Sequence, residues 1–443
     1  MQHAITFVIA ALCILAIAYR LYGVFFVRKV LMADDKLVTP SHQLEDGKNY
    51  VPTNKWVNFG QHFAAIAAAG PLVGPVLAAQ YGYLPSFLWL LIGCVIGGAV
   101  HDTVVLFASM KHQGKSLSEV AKAELGPIAG WCTGLAMLFI ITITMAGLSM
   151  VVVHALERNA WGVFAVFMTI PISMVVGIWH KLTGNLQAAS WVGFIAVLAC
   201  VFFGPYVQES AFGAWLTLRA ETISLALPIY AFFATALPVW LLLTPRGYIS
   251  SFMKIGVFGA LVIGVICINP EIQFPAMTQF VHGGGPVLGG PVWPFISITI
   301  ACGAISGFHA FIGSGTTPKL VDKWNDILPV AFGAMLAECV VGVMALIAAT
   351  ALHPADYFAI NATPEAFAKL GMQVVDLPML SQEIGMDLYG RTGGAVTLAV
   401  GMSYIFTKVP WFSDLASYFF QFVVMFEAVF ILTAVDSGTR VSR

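Results

Sequence analysis

The chain has 443 residues, 59% of them hydrophobic and 10% charged, with a formal net charge of −1. Soluble globular domains carry about a quarter charged residues, so an ordinary soluble protein is excluded, and so little net charge gives no grip on nucleic acid. A mean hydropathy of +0.87 points instead to an all-α polytopic membrane protein that has the lipid bilayer as its solvent.

A bilayer-crossing helix needs about 20 apolar residues. Windows of that kind fall at 5–27, 57–80, 84–109, 127–153, 160–179, 187–207, 222–243, 253–269, 292–313, 327–351, 393–409 and 414–434, giving twelve expected transmembrane helices. The first window has no Lys or Arg before it, outruns a signal-peptide core and lacks a small-residue cleavage site, so it reads as a retained span. Basic residues set the orientation. With the first span running outside to inside, inner segments carry 14 Lys and Arg, including Lys48, Arg246 and Lys254, and outer segments carry 6, including Arg443. That places the N-terminus outside.

The second window, NFGQHFAAIAAAGPLVGPVLAAQ from Asn58 to Gln80, is interrupted by Gly70-Pro71 and Gly74-Pro75. Proline removes a backbone donor and crowds the preceding turn, so no continuous helix is expected through both pairs. Broken backbone at membrane depth is tolerated only where it is buried or lines a cavity. Freed amides at such a break suit a carboxylate, and Ala67, Ala68 and Ala69 keep the approach narrow. Ala69, Gly70, Pro71, Gly74 and Pro75 are therefore substrate-binding candidates. Gly70 and Gly74 also fit GxxxG, whose bland reading is close helix packing.

A second proline-interrupted span, Leu225 to Leu243, lies five spans later. Two broken helices in matching places point to an internal repeat, here 57–207 and 222–409 within a single 1–443 transmembrane domain, with 5–27 and 414–443 as additions. Prolines that merely kink the second helix are an equal alternative. Tyr230 and Phe233 stand beside this break and can line a site, although packing is the simpler reading. Phe232 and Trp240 read as interfacial belt residues.

Two outer stretches are long. Residues 270–291 contain HGGGPVLGGP and read as a flexible loop, and 352–392 include a short helix near Thr363–Leu370, capped by Thr363 with Pro364 in its first turn. The seven cysteines lie in apolar runs without a CxxC pair, which suggests neither disulfides nor a zinc site.

Five motifs together resemble the carbon starvation protein A family: GQHFAAIAAAGPLVGPVLAAQ from Gly60, GAVHDTVVLFASMKHQGKSLSEVA from Gly98, LPVWLLLTPRGYIS from Leu237, SGFHAFIGSGTTPK from Ser306 and FEAVFILTAVDSGTR from Phe426. They cover nearly the whole chain in order. The resemblance implies a bacterial inner-membrane transporter made under carbon starvation, taking up peptides or, in some members, pyruvate with protons. It also implies a five-plus-five, LeuT-like core of the amino acid–polyamine–organocation type. Members of that family continue past DSGTR with further membrane segments, whereas this sequence stops at Arg443, as a short or a truncated member would.

Asp102, Glu338 and Glu427 each fall inside an apolar span. A charge at the bilayer centre costs about 2.5–3.5 kcal/mol on insertion scales, so such groups face a cavity or a partner. Carboxylates there can load and release protons, as can His101 and His309, because imidazole titrates nearest neutral pH. Interhelical hydrogen bonding is the structural alternative for all five. His62 and His154 read as interfacial. In the HAFIGSGTTPK run, Thr316 or Thr317 is expected to cap a helix that starts at Pro318. Hydroxyls of Ser306, Ser314, Thr316 and Thr317 would then gather near His309, to hold a proton-bearing water or sodium, and Lys319 could act as a gate. Few cations lie at mid-depth, so a carboxylate substrate would rely on amides and hydroxyls.

The expected activity is secondary active uptake of a carboxylate-bearing nutrient coupled to protons or sodium, with no cofactor. No GxxxxGK[ST] run supplies nucleotide drive. The alternatives are a starvation sensor without transport and an intramembrane metalloenzyme using His101, Asp102 and His309, the latter without an HExxH or nucleophile motif to support it.

Overall fold

The computed structural model describes residues 2–47, 49–67, 69–237, 241–409 and 412–441. Lys48, Ala68, Trp240 and Arg443, used in the sequence reading, lie outside these. Helix forms in each of the twelve expected windows. Among the described residues, seven helices are long and apolar enough to cross a membrane, or eight if one bent pair counts as a single span.

The main helices in chain order are α1 (Ala4–Val30), α2 (Lys55–Ile66), α3 (Gly70–Tyr81), α4 (Tyr83–Lys111), α5 (Pro127–Leu156), α6 (Ala160–Thr183), α7 (Leu186–Glu209) and α8 (Ala220–Ala236). They continue with α9 (Leu243–Ile268), α10 (Val292–Thr299), α11 (Ala301–Ala304), α12 (His309–Gly315), α13 (Trp324–Thr350), α14 (Ala395–Thr407) and α15 (Ala416–Val441). Local chemistry sets their ends. Asn159 caps α6 by accepting from the Gly162 amide at 2.8 Å, and α6 stops at Gly184, whose φ of +71° suits glycine.

Burial separates the centre from the rim. The apolar window of α13 is 83% buried and that of α15 78%, against 17% for α5. The exposed face of α5 carries Leu135, Leu138, Phe139 and Ile143. Such a face is unfavourable in water but matches hydrocarbon, so α5 has the character of a lipid-facing helix.

The first broken span is present, with its break displaced from the expected place. The α2 and α3 axes differ by 51°, and helical geometry is lost at Ala67, where φ is −70° and ψ 68°. Gly70-Pro71 opens α3 rather than interrupting a helix, and Pro75 lies inside α3. A proline in the first turn removes an amide that has no intrahelical partner anyway. Pro75 forfeits only the bond to the Pro71 carbonyl, so the second glycine–proline step does not break the chain.

The second break differs more. Helix α8 runs through Pro228 and ends at Ala236. Leu237 is extended (φ −70°, ψ 150°), the conformation favoured before a proline. The chain then starts a separate 26-residue helix, α9, that absorbs the expected 253–269 span. Leu225–Leu243 is thus a junction between two helices. The window expected to be continuous, 292–313, is the one that breaks. It divides into α10, α11 and α12, with Ile300 off helical geometry and Ile305 extended. Glycines at 303 and 307 flank the turn, and no proline marks it. The two broken spans therefore do not stand in matching places of the expected halves.

They do pack crosswise. Helix α3 lies against α13 and α11, and α12 lies against α4. A side chain at Gly70 would collide with Cys302, and one at Gly74 with the Thr299 carbonyl, so both glycines serve close approach of the two broken spans. The helices that follow each break share a feature: α4 contains a π segment at Gly93–Gly98 and α13 one at Leu328–Gly333.

The 270–291 stretch is tethered rather than free. Glu271–Ile272 pairs antiparallel with Gln2–His3. The Gln80 side chain accepts from the amides of Val287 (2.8 Å) and Leu288 (3.0 Å) and donates to the Leu288 carbonyl at 2.8 Å. Within 352–392, Thr363 caps Pro364–Ala368 as expected, its hydroxyl accepting from the Ala366 amide at 3.3 Å.

Candidate functional site

Four of the expected ionisable residues meet in one place. Helix α4 carries His101 and Asp102, α12 opens on His309 directly after the second break, and α13 carries Glu338. Asp102 receives two imidazoles: His101 Nδ1 at 2.9 Å on Oδ1 and His309 Nδ1 at 2.8 Å on Oδ2. On the far side of the ring, His309 Nε2 stands 3.2 Å from Glu338 Oε2. Asp102, His309 and Glu338 are fully buried, and His101 is partly exposed.

Counting protons shows what this arrangement can do. An ionised Asp102 only accepts, so His309 Nδ1 donates to it. A neutral ring then has a bare lone pair at Nε2, aimed at the oxygen of Glu338. Two acceptors at 3.2 Å repel unless a proton lies between them, on the ring or on the carboxyl. Neither His309 Nε2 nor Glu338 Oε2 has a well-formed hydrogen bond here. A buried site with one more acceptor than it has protons is suited to taking one up.

Cys302 extends the group, its Sγ 3.6 Å from Glu338 Oε1. Cys302, His309 and Glu338 place a thiol, a ring nitrogen and a carboxylate within 4.8 Å of one another, the donor types of a transition-metal site. A proton between His309 and Glu338 satisfies the same ring and carboxylate atoms. Cys94, Cys200 and Cys339 are buried, as small residues in apolar helices commonly are. Cys13, Cys132 and Cys267 are exposed on their helices, and Cys302 sits beside an acid.

Other candidates fall elsewhere. Glu427 is fully buried on α15, and among the described residues neither carboxylate oxygen has a hydrogen-bond partner. Ser314 donates to its own helix at Ala310, Thr316 is exposed, and Ser306 lies in the break ahead of His309. These hydroxyls do not converge: Ser314 lies within α12, Ser306 before it, and Thr316 and Thr317 after it. Thr316 and Thr317 make no side-chain cap, and Thr317–Lys319 is a single 3-10 turn. Thr317 instead meets His62 Nδ1 at 2.8 Å. His62, expected at the interface, is buried on α2, one turn after buried Asn58. His154 stays half-buried near the end of α5. Lys319 lies against the Tyr50 ring at 5.6 Å.

Of the break residues, Ala69, Pro71, Gly74 and Pro75 are buried and Gly70 half-buried. Tyr230 and Phe233 do not join them. Phe232 and Phe233 are largely exposed, as belt residues are. The Tyr230 hydroxyl lies 3.0 Å from Asp436 Oδ2 and is bonded to Arg246. Arg246 Nη1 pairs with Asp436 at 3.2 Å, and its Nη2 donates to Thr169 at 3.3 Å. Arg246 and Lys254 were expected in an inner loop. Both are buried within α9, so cations do exist at depth. The 222–243 window ran up to the start of α9 at Leu243, and the two charges kept the early part of that helix out of the apolar window expected at 253–269.

The fold and this cluster define a polytopic helical membrane protein whose two broken spans cross over a buried ionisable centre. The chain belongs to the carbon starvation protein CstA family, whose model matches residues 3–443. It is 75% identical over 442 residues to a protein of Bacillus subtilis (strain 168) named peptide transporter CstA, covering 100% of this chain and 74% of that one. It is 46% identical over 461 residues to the peptide transporter CstA of Campylobacter jejuni, covering 99% of this chain and 65% of the relative. To the pyruvate/proton symporter BtsT of Escherichia coli (strain K12) it is 42% identical over 482 residues, covering 99% and 67%. The chain thus spans about two thirds to three quarters of the length of these relatives. No solved structure matches it.

Proposed function

We propose that the chain is the core of a proton-coupled secondary transporter that takes up a small carboxylate-bearing nutrient, pyruvate or a short peptide, during carbon starvation. The observation that carries this is the Asp102–His309–Glu338 line, in which a fully buried ring stands between two carboxylates, within reach of both. His309 also sits at the edge of a break, so a proton there acts on backbone that can move. The names of the relatives support both halves of the reading, peptide transport and pyruvate/proton symport.

In this reading the break beside Ala69, Gly70 and Pro71 receives the substrate when the two spans part, together with Gly74, Pro75, Ser306 and Ser314. Asp102, His309 and Glu338 carry the proton, and His101 connects them toward the partly exposed side. Glu427 and the Thr316–Thr317 turn are secondary coupling groups. The twelve helical windows all cross the bacterial inner membrane, N-terminus outside, as one domain. Each broken span is followed by a π-containing helix, in α2–α4 and again in α10–α13, and this likeness supports an internal repeat. Proteoliposomes with an imposed pH gradient test the function. Gradient-driven accumulation of pyruvate or dipeptides is expected; equal uptake with and without the gradient refutes it.

A further inference from the structure

The buried acid–imidazole line has a neighbour that proton transfer leaves unused. Cys302, on α11, points its Sγ at Glu338 Oε1 from 3.6 Å, while the other oxygen of that carboxylate faces His309 Nε2 at 3.2 Å. Thiol, ring and carboxylate come from α11, α12 and α13, and their donor atoms lie within 4.8 Å of one another. A tetrahedral site with metal–sulfur bonds of about 2.3 Å and metal–nitrogen or metal–oxygen bonds of about 2.0 Å holds neighbouring donors roughly 3.3–3.5 Å apart. The cluster therefore stands close to ligand spacing.

The ring is prepared in the same sense. A histidine that holds a metal almost always donates its other N–H to a carboxylate, which fixes the tautomer and aims the free lone pair. Asp102 does this for His309, accepting from Nδ1 at 2.8 Å. His309 and Glu338 are fully buried, and neither Nε2 nor Oε2 has a well-formed hydrogen bond among the described residues. Each so presents a free lone pair to the cluster. Cys302 is the partly exposed member, which gives an ion an edge of entry. Sulfur, nitrogen and oxygen together are the donor set of zinc and its neighbours, whereas magnesium and calcium take oxygen alone.

We propose that Cys302, His309 and Glu338 bind a divalent transition metal of the zinc type, which takes the lone pairs a proton would otherwise occupy and so competes with the coupling proton. Three protein donors leave the fourth tetrahedral position open to water. Binding stands on this geometry alone, while the competition rests on the proposed function.

Cobalt(II) reports on such a site, because a thiolate ligand gives it a charge-transfer band and a tetrahedral field gives it visible absorption. The full chain in nanodiscs, stripped with chelator, is titrated with cobalt as wild type, Cys302→Ala, Asp102→Asn, and a variant with the three exposed cysteines replaced together (Cys13→Ser, Cys132→Ser, Cys267→Ser). The wild type and the triple variant are expected to show both signals with stoichiometric cobalt, and zinc should bleach them. Cys302→Ala, or Cys302→Ser should the alanine variant not fold, is expected to lose the thiolate band. Asp102→Asn should bind about 10- to 100-fold more weakly. No thiolate band in the wild type overturns the proposal, as does a band that survives loss of Cys302 or vanishes in the triple variant. In proteoliposomes, zinc should slow gradient-driven uptake severalfold in the wild type and far less in Cys302→Ala; equal slowing of both overturns the competition. Absence of any pyruvate or dipeptide uptake would count against the proposed function and leave the cobalt spectra standing.

Discussion

The Asp102 carboxylate holds the His309 ring at 2.8 Å, and that contact decides which ring nitrogen faces Glu338. An amide in place of the carboxylate can donate to Nδ1 as readily as accept from it, so the ring loses its fixed tautomer. Hydrogen bonds to charged groups contribute about 1.5–3 kcal/mol, enough to change proton occupancy by roughly tenfold to a hundredfold. Asp102→Asn is therefore expected to lose pH-driven accumulation by at least about tenfold, while exchange of substrate across the membrane without a gradient persists. Paired measurements of accumulation and counterflow in proteoliposomes check this. Unchanged accumulation would remove Asp102 from the proton path.

Gly70 and Gly74 face different obstacles on the opposite broken span. A side chain at Gly70 meets the Cys302 side chain, whereas one at Gly74 meets the backbone carbonyl of Thr299. The nearest Cys302 atom is its Cβ, which no side-chain rotation moves, so neither obstacle gives way unless the opposite span shifts. Overpacking of this kind costs about 1–3 kcal/mol. Gly70→Ala and Gly74→Ala are each expected to cost an amount in this range, read as thermal unfolding in detergent. Equal and negligible shifts would show that the two spans are not pressed together there.

The contrast between the breaks explains how far the sequence could be read. Apolar length located helix in all twelve windows, because a bilayer span is a property of composition over about 20 residues. Gly70-Pro71 announced the first break, although the helix opens at that step instead of ending there. The second break carries no proline. Ile300 and Ile305 leave helical geometry where α3 and α4 press in through Gly74 and Gly98, and tertiary contact of that kind has no local signature. Pro228, by contrast, lies inside α8 without interrupting it, and the expected Leu225–Leu243 span parts only after Ala236. The ionisable centre was legible residue by residue, since Asp102, His309 and Glu338 stand out in apolar runs. Its connectivity was not, and neither was the depth of Arg246 and Lys254, whose charge made their segment resemble a loop.

Arg246 and Asp436 form a fully buried pair that joins α9 to α15, with Thr169 of α6 as a further acceptor for the guanidinium. Removing one member leaves the other uncompensated, at a cost of about 3–5 kcal/mol, while removing both is far cheaper. Arg246→Met is expected to destabilise the protein strongly, and adding Asp436→Leu should restore much of the loss. A double-mutant cycle on unfolding midpoints measures the coupling. Simple additivity of the two substitutions would mean that the pair does not hold these helices together.

Gln80 closes the C-terminal end of the first broken span by its side chain, which makes three hydrogen bonds to Val287 and Leu288. Tyr81 adds a fourth tether, its hydroxyl donating to the Gly290 carbonyl at 2.8 Å. A neutral hydrogen bond contributes about 0.5–1.5 kcal/mol, so three together suppress local opening by well over tenfold. Gln80→Ala should speed hydrogen exchange at the Val287 and Leu288 amides by about that factor or more, with a smaller effect from Tyr81→Phe. Because Gln80 ends the same helix that Gly70 begins, a substrate that shifts α3 should slow exchange at those two amides in the wild type and leave Gln80→Ala unresponsive. Peptide-level exchange with and without pyruvate distinguishes the cases, and an identical response in both proteins would show that the loop moves independently of the span beneath it.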